Sequence, residues 1–426
     1  MSKTYTVKKF DAFYLISTKF YGVPNKHNEI IAANPQFVGR KTIAGLPDLI
    51  EGEILIIPDL IKKPKSKTTE TIQEDTITPA SPDAISILVD GKLFSFFTDY
   101  SITFNIDTFD TFTFSGPFDE TKLVYRETFR PFSYKKAKVY YDKYLIFTGV
   151  LLAQQCASNP DSKTLSISGY SLPGVLNDCH MPISAFPLNF NNQTLQQITE
   201  KVCKPYGIIS NFLSSSGNKF SEVALEVDKP VLSFLIDLAT QRGLLVSNNE
   251  KGELIFWKSG TGSPIASFKE GELPFISCSP QFNYQNFFSH ITAISKTTES
   301  DISGQKTYIN NYLLKRGINR HYNFIVEDAK ISELASIAKI KAGQMFGESA
   351  SYGLSVKGHR DKNGNLYKKN LLVSVHSPGA MIYKESNMLI KSLTMSRKNE
   401  GDITDFSLIL PGCYTGEIPE VFPWEE

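Results

Sequence analysis

Residues 100–114 read YSITFNIDTFDTFTF, and their phase decides the class of fold. Tyr100, Ile102, Phe104 and Ile106 fall on one side of an extended chain and Ser101, Thr103 and Asn105 on the other, the two-residue period of a half-buried strand. Phe109 breaks that phase before Phe112 and Phe114 resume it, which predicts a bulge or corner at 107–110. Upstream, Ile85, Ile87 and Val89 lead into Asp90-Gly91, a pair suited to a type I′ turn, and residues 93–97 return. Downstream, strands are predicted at 138–141 and 144–152 across an Asp142-Lys143 turn, and Leu165 and Ile167 alternate with Ser166 and Ser168. Short strands punctuated by turns predict a barrel or sandwich. The nearly apolar run 144–153 is half the length of a membrane-spanning helix and reads as a buried strand, so no membrane segment is expected.

Near residue 190 the spacing becomes helical. Thr194 and Gln197 form a capping box ahead of Leu195, Ile198, Val202 and Cys203, with Pro205 and Gly207 as terminators. Pro230 opens a second helix that carries Val231, Phe234, Leu235, Leu238 and Ala239 and stops at Gly243. A hairpin over 244–247 and 253–257 completes a small α+β unit. Beyond it, strands are predicted at 275–282, 288–295, 354–358, 371–376, 388–395 and 405–410. One helix interrupts them, capped by Asp328, carrying Ile331, Leu334, Ala335, Ala338, Ala342 and Met345, and ending at Gly347.

At the N-terminal end, Tyr5, Thr6 and Val7 predict a strand. Asp11 N-caps a helix with Phe13, Leu15, Ile16 and Phe20 on its apolar side, a short helix over 29–33 ends at Asn34-Pro35, and residues 54–57 form a second strand. Residues 62–82, KKPKSKTTETIQEDTITPASP, hold no large apolar residue except two Ile and predict a flexible linker.

The chain's 426 residues exceed a single core, and 45 Lys and Arg against 44 Asp and Glu leave a net charge of +1. No global field therefore draws it to nucleic acid or an anionic membrane. Thirty Phe and nineteen Tyr favour strands. The five cysteines, Cys156, Cys179, Cys203, Cys278 and Cys413, are scattered without a Cys-x-x-Cys pair, so neither a disulfide framework nor a zinc ribbon is expected. Residues 2–5 show no secretory signal. The six histidines lack His-x-x-x-His and His-Glu-x-x-His spacing, and no Gly-x-Ser-x-Gly, Walker or dinucleotide loop is present. Adjacent residues on a strand face opposite ways, so Cys179 and His180 do not make a nucleophile and base. No catalytic residue, metal or cofactor is expected.

The words YTVKKFD (5–11), IAANP (31–35) and EGEILIIP (51–58), in the order β, α, α, β, resemble the LysM module over residues 4–58. That resemblance implies docking loops at Asp11, Ala12 and Phe13 and at Leu46, Pro47 and Asp48, for an N-acetylglucosamine-containing glycan or for a protein. The family's usual Gly-Asp pair is Phe10-Asp11 here, and residues 38–45 lengthen the second loop.

Along the body, GPFD (116–119), FRPF (129–132), FTGVL (147–151), SGYSLPGVLNDC (168–179), TLQQITEKVCKPYGI (194–208), LATQRGLLVS (238–247), GHRDKNGNLYKKN (358–370), LIKSLTMS (389–396) and LILPGCYTGEIPEVFPW (408–424) together resemble the hub family of Mu-like contractile phages. The resemblance implies a structural, non-enzymatic baseplate hub, assembled in the host cytoplasm and carried on the virion tail. It implies a homotrimeric ring that adapts a hexameric tail tube to a trimeric central spike protein, with baseplate wedge or sheath-associated proteins as partners of the LysM module.

The expected architecture is mainly β with α+β insertions: a βααβ LysM-like module (1–61), linker (62–82), first β-barrel-like domain (83–178), small α+β domain (179–264), second β-barrel-like domain with a helix (265–395), and C-terminal strand and tail (396–426). The rival reading is a peptidoglycan-binding or peptidoglycan-degrading tail-associated protein anchored by the LysM module.

Overall fold

The computed structural model describes residues 3–58 other than 10, 22–25, 38–39, 41, 44–45 and 48, and residues 84–425 other than 296–303, 327–328, 330, 399–400, 417–418 and 420. Two compact units, Met1–Ile77 and Thr78–Glu426, divide the chain. The predicted linker at 62–82 and the Asp328 cap lie outside the described residues.

In the first unit, Lys3–Thr6 pairs antiparallel with Ile54–Ile57, and helices Phe13–Tyr21 and His27–Ala32 lie between them in the chain. Val7, Phe13, Ile16, Ile30, Phe37, Leu55 and Ile57 make the core. Leu15, predicted on the apolar side, is exposed; two residues from Phe13 is about 200° of helical rotation, which points it away. Asn34 is buried, and its amide Nδ2 donates to Ile30 O at 2.6 Å and Ile56 O at 2.7 Å while its Oδ1 accepts Ile56 N at 2.7 Å. One side chain thus satisfies both backbone groups of Ile56 that face away from Thr4. Asn34→Ala orphans them and is expected to cost about 1–3 kcal/mol; hydrogen exchange across 54–57 in the full chain should accelerate, and unchanged protection would contradict this role.

The second unit is organised by one sheet of thirteen strands, labelled within this unit as β1 (Ile85–Val89), β2 (Lys92–Phe94), β3 (Asp99–Asn105), β4 (Thr111–Pro117), β5 (Lys136–Tyr141), β6 (Tyr144–Asn159), β7 (Ser162–Ser171), β8 (Ser267–Lys269), β9 (Phe275–Phe282), β10 (Ala350–Lys357), β11 (Leu372–Ser377), β12 (Ile382–Lys398) and β13 (Gly401–Ile409). Their order is β9-β10-β13-β12-β3-β4-β7-β6-β5-β1-β2, with β11 also on β12 and β8 on β11. The predicted class, mainly β with α+β insertions, is the class observed.

Asp90 and Gly91 take positive φ angles of 52° and 77°, as a type I′ turn requires, and Asp142 takes 52° in the predicted turn before Tyr144. The phase break at Phe109 has a different cause from a bulge. β3 and β4 pair antiparallel from Asp99↔Ser115 to Thr103↔Thr111, so residues 106–110 turn a hairpin. β3 also pairs with β12, from Tyr100↔Arg397 to Asn105↔Ser392, which makes the N-terminal and C-terminal strand sets one continuous sheet over a shared apolar core.

The α+β part carries α1 (Leu195–Cys203) and α2 (Val231–Gln241), packed with Leu245–Asn248 and Leu254–Trp257 around Ile198, Val202, Leu235, Leu238 and Phe256. The Thr194–Gln197 capping box forms as predicted. Helix α3 (Ile331–Ser349) packs Leu334, Ile337 and Ala338 on Ala293 and Val326 of a small sheet formed by Gln305–Ile309, His290–Ser295 and His321–Val326. It runs past Gly347, where the sequence predicts its end.

Candidate assembly site

Asp11, Ala12 and Phe13 come together at the start of the first helix. Asp11 Oδ2 accepts the Tyr5 hydroxyl at 2.8 Å and the Lys8 amide at 2.7 Å. The Ala12 carbonyl accepts Ile16 N at 3.0 Å. The Phe13 ring is buried, edge-on to Phe37 at 5.4 Å, and serves the core. Leu46–Pro47 forms a short strand opposite Thr42–Ile43, and Asp48 lies outside the described residues.

Sequence reasoning missed a buried polar network that ties three parts of the second unit. Lys369 Nζ donates to Asp110 Oδ1 at 2.7 Å, Asp110 Oδ2 at 2.9 Å and Ser247 Oγ at 2.9 Å. Asp110 also accepts Asn105 N at 2.8 Å and Asn248 Nδ2 at 2.9 Å, while Asn248 Oδ1 accepts Asp110 N at 2.9 Å and Ser171 Oγ at 2.7 Å. Burial pushes the Asp110 carboxyl up and the Lys369 ammonium down, and each is opposed by the other's charge. Four hydrogen bonds from three donors close around the carboxylate, so the network joins the β3–β4 turn, the α+β strands and the approach to β11.

A second buried group lies across the β3–β12–β13 joint. His359 Nε2 meets the Tyr100 hydroxyl at 2.9 Å, its Nδ1 meets Thr404 Oγ1 at 2.8 Å, and Thr404 Oγ1 donates to Gly358 O at 2.7 Å. Burial, then the Asp402 charge, holds the Tyr100 phenol well above its usual range, so it stays protonated. Burial likewise pushes the thiols of Cys203 and Cys413 up to about 12, and burial followed by Glu270 pushes Cys278 to about 11. These thiols are poor nucleophiles at neutral pH. Among the described residues no group of three or more His, Cys, Asp or Glu is arranged to hold a metal ion, and no helix is long and apolar enough to cross a membrane.

Two regions of the surface expose large apolar side chains. In the loop before β5, Phe132 is 94% exposed and Tyr134 67%, with φ angles of 56° and 46°, left-handed conformations that bulky residues rarely adopt. Leu123, Val124 and Leu152 are exposed beside them in the chain or at the base of the β6–β7 hairpin. At the far end of the sheet, β9 pairs only with β10 among the described residues, and Leu273 and Ile276 are exposed there. An unpaired strand edge with apolar flanks is a template for another chain.

Residues 173–258 match the family model described as the second domain of the gp44-like baseplate hub protein. The chain is 23% identical over 333 residues to the baseplate hub protein gp44 of Escherichia phage Mu, covering 74% of this chain and 84% of that protein. Two solved tail proteins share the fold. The 43 kDa tail protein of prophage MuSo2 from Shewanella oneidensis superposes with a TM-score of 0.66 at 22% identity, over 78% of this chain and 99% of that one. The tail protein from Neisseria meningitidis MC58 gives 0.67 at 19% identity, over 79% and 99%. Residues 173–258 are thus similar to the second domain of gp44-like baseplate hub proteins, and the body that carries them has the fold of these two solved tail proteins.

Proposed function

We propose that this chain is the structural, non-enzymatic hub of a contractile-tail baseplate, in which three copies close a ring that adapts a hexameric tail tube to a trimeric central spike. The observation that carries the reading is the hub-family match at 173–258, lying within a 333-residue alignment to a baseplate hub protein. The physical support is the uncovered apolar surface and the free edge of β9, which a closed cyclic assembly hides in every copy at once. The two strand sets, around 83–178 and 265–395, act as the two barrel-like domains that each copy lends to a sixfold-like surface. Residues 396–409 close the second of them, since β13 lies between β10 and β12.

The N-terminal unit is proposed as a LysM-like docking module for wedge or sheath-associated proteins or for peptidoglycan. Co-sedimentation of the full chain with purified peptidoglycan separates these partners: pelleting shows glycan binding, and a protein partner is favoured by chain left in solution. Incubation of the same chain with cell walls tests the rival hydrolase, which requires loss of turbidity; stable turbidity supports the structural hub.

A further inference from the structure

We infer that the aromatic loop around Phe132 and Tyr134 of one copy seats in the acid-rimmed pocket beside β9 of the next copy, forming a head-to-tail contact. This deepens the ring reading above, on which it rests, by naming the surfaces that meet.

The loop carries two aromatic side chains held out in left-handed backbone conformations, a strained presentation that persists where surrounding structure enforces it. Within residues 126–136 the exposed side chains of Arg126, Arg130 and Lys136 outnumber the segment's one acid, Glu127. Lys135 is taken up by Asp90 at 3.5 Å and by Glu127 O at 2.7 Å. The loop is therefore an apolar knob with a basic rim.

The pocket beside β9 has the opposite character. It has a volume of about 460 Å³ and is lined by Glu270, Glu272, Leu273, Ile276, Cys278 and Gly379 among others. Leu273 is 82% exposed and Ile276 48%, so its apolar wall is uncovered. Glu270 accepts Gly379 N at 3.0 Å and Ser377 Oγ at 2.9 Å, which hold its carboxylate ionised at the rim. Lys269 stands 3.8 Å from Glu272 and only partly offsets the two acids.

Knob and pocket sit near opposite ends of one sheet. Between β6, at whose base the knob stands, and β9 lie β10, β13, β12, β3, β4 and β7. The exposure of Phe132 means that it does not reach the pocket of its own chain. Two complementary but different surfaces on one chain make a heterologous contact, which propagates head to tail and closes where the rotation permits.

A mixing experiment on the full chain tests this. Phe132→Asp disables the knob and Leu273→Arg the pocket; both positions are too exposed for the core to register the change. Wild-type chain is expected to form rings, and each variant alone is expected to run as a 47.7 kDa monomer by mass photometry. Mixed in equal amounts, the pair retains one intact knob and one intact pocket, and should yield a dimer of about 95 kDa, two copies of 47.7 kDa, that goes no further. The mixture also controls for folding, because a misfolded variant gives no dimer while its partner's circular dichroism stays native. Rings that persist in each variant overturn this contact and leave the ring reading standing. Folded variants that stay monomeric when mixed also overturn it, whereas wild-type chain that never associates removes both readings.

Discussion

Lys369→Met is expected to destabilise the second unit by about 3–5 kcal/mol, the range for removing one partner of a buried ion pair. The side chain that remains, Asp110, is buried in the β3–β4 turn, and its carboxylate loses two contacts of 2.7 and 2.9 Å from the ammonium. Burial already raises the Asp110 pKa, and without Lys369 the rise is larger. A carboxyl whose folded pKa lies above its unfolded value binds more protons in the folded state, so stability falls as pH rises. The loss should therefore be smaller at pH 5 than at pH 8. Trp257 reports on the same turn, since its indole N–H donates to Ile106 O at 3.1 Å, and urea unfolding followed by its fluorescence in a Trp424→Phe background reads the effect. Asp110→Asn combined with Lys369→Met removes both charges and is expected to recover most of the loss. An unchanged urea midpoint in the single variant would contradict the network's role.

Gly343→Ala in α3 is expected to destabilise although alanine is the better helix former. The helix-propensity gain is about 1 kcal/mol. Against it, a Cβ at position 343 would stand 2.2 Å from Cys413 O and 2.8 Å from Gly416 Cα, both backbone atoms. Overpacking that moves backbone costs about 1–3 kcal/mol or more, so the clash outweighs the propensity and α3 is pushed off the C-terminal turn. Hydrogen exchange should accelerate across 409–416, with a lowered melting temperature. A stabilised variant would show that the turn does not pack on this face of the helix.

The same helix and the same buried pair also mark where the letters were readable and where they were not. Gly347 reads as a helix terminator because glycine so often ends helices. In the folded chain its lack of a side chain serves packing instead: a Cβ at position 347 would stand 3.1 Å from Cys413 Cβ, one turn on from Gly343. Local features fared better: the alternation at 100–106, the left-handed Asp90-Gly91 pair and the Thr194–Gln197 box are each decided by residues within a few positions of one another.

The β3–β12 joint pairs residues roughly three hundred positions apart, and such pairing leaves no local trace. Nothing within a few positions of Asp110 or Lys369 marks either as buried, because the partner that permits burial is 259 residues away. At residues 11–13 the helix start was legible, and so was the inward turn of Phe13, since Ile16 and Phe20 recur on its side with helical spacing.

The central claim is that copies of this chain join into a closed ring. Native mass measurement of the purified full chain across the micromolar range tests it most directly. A species of about 143 kDa, three copies of 47.7 kDa, is predicted, with threefold symmetry in its projected image. A chain that stays at 47.7 kDa throughout, folded and with its apolar edge uncovered, would contradict the account.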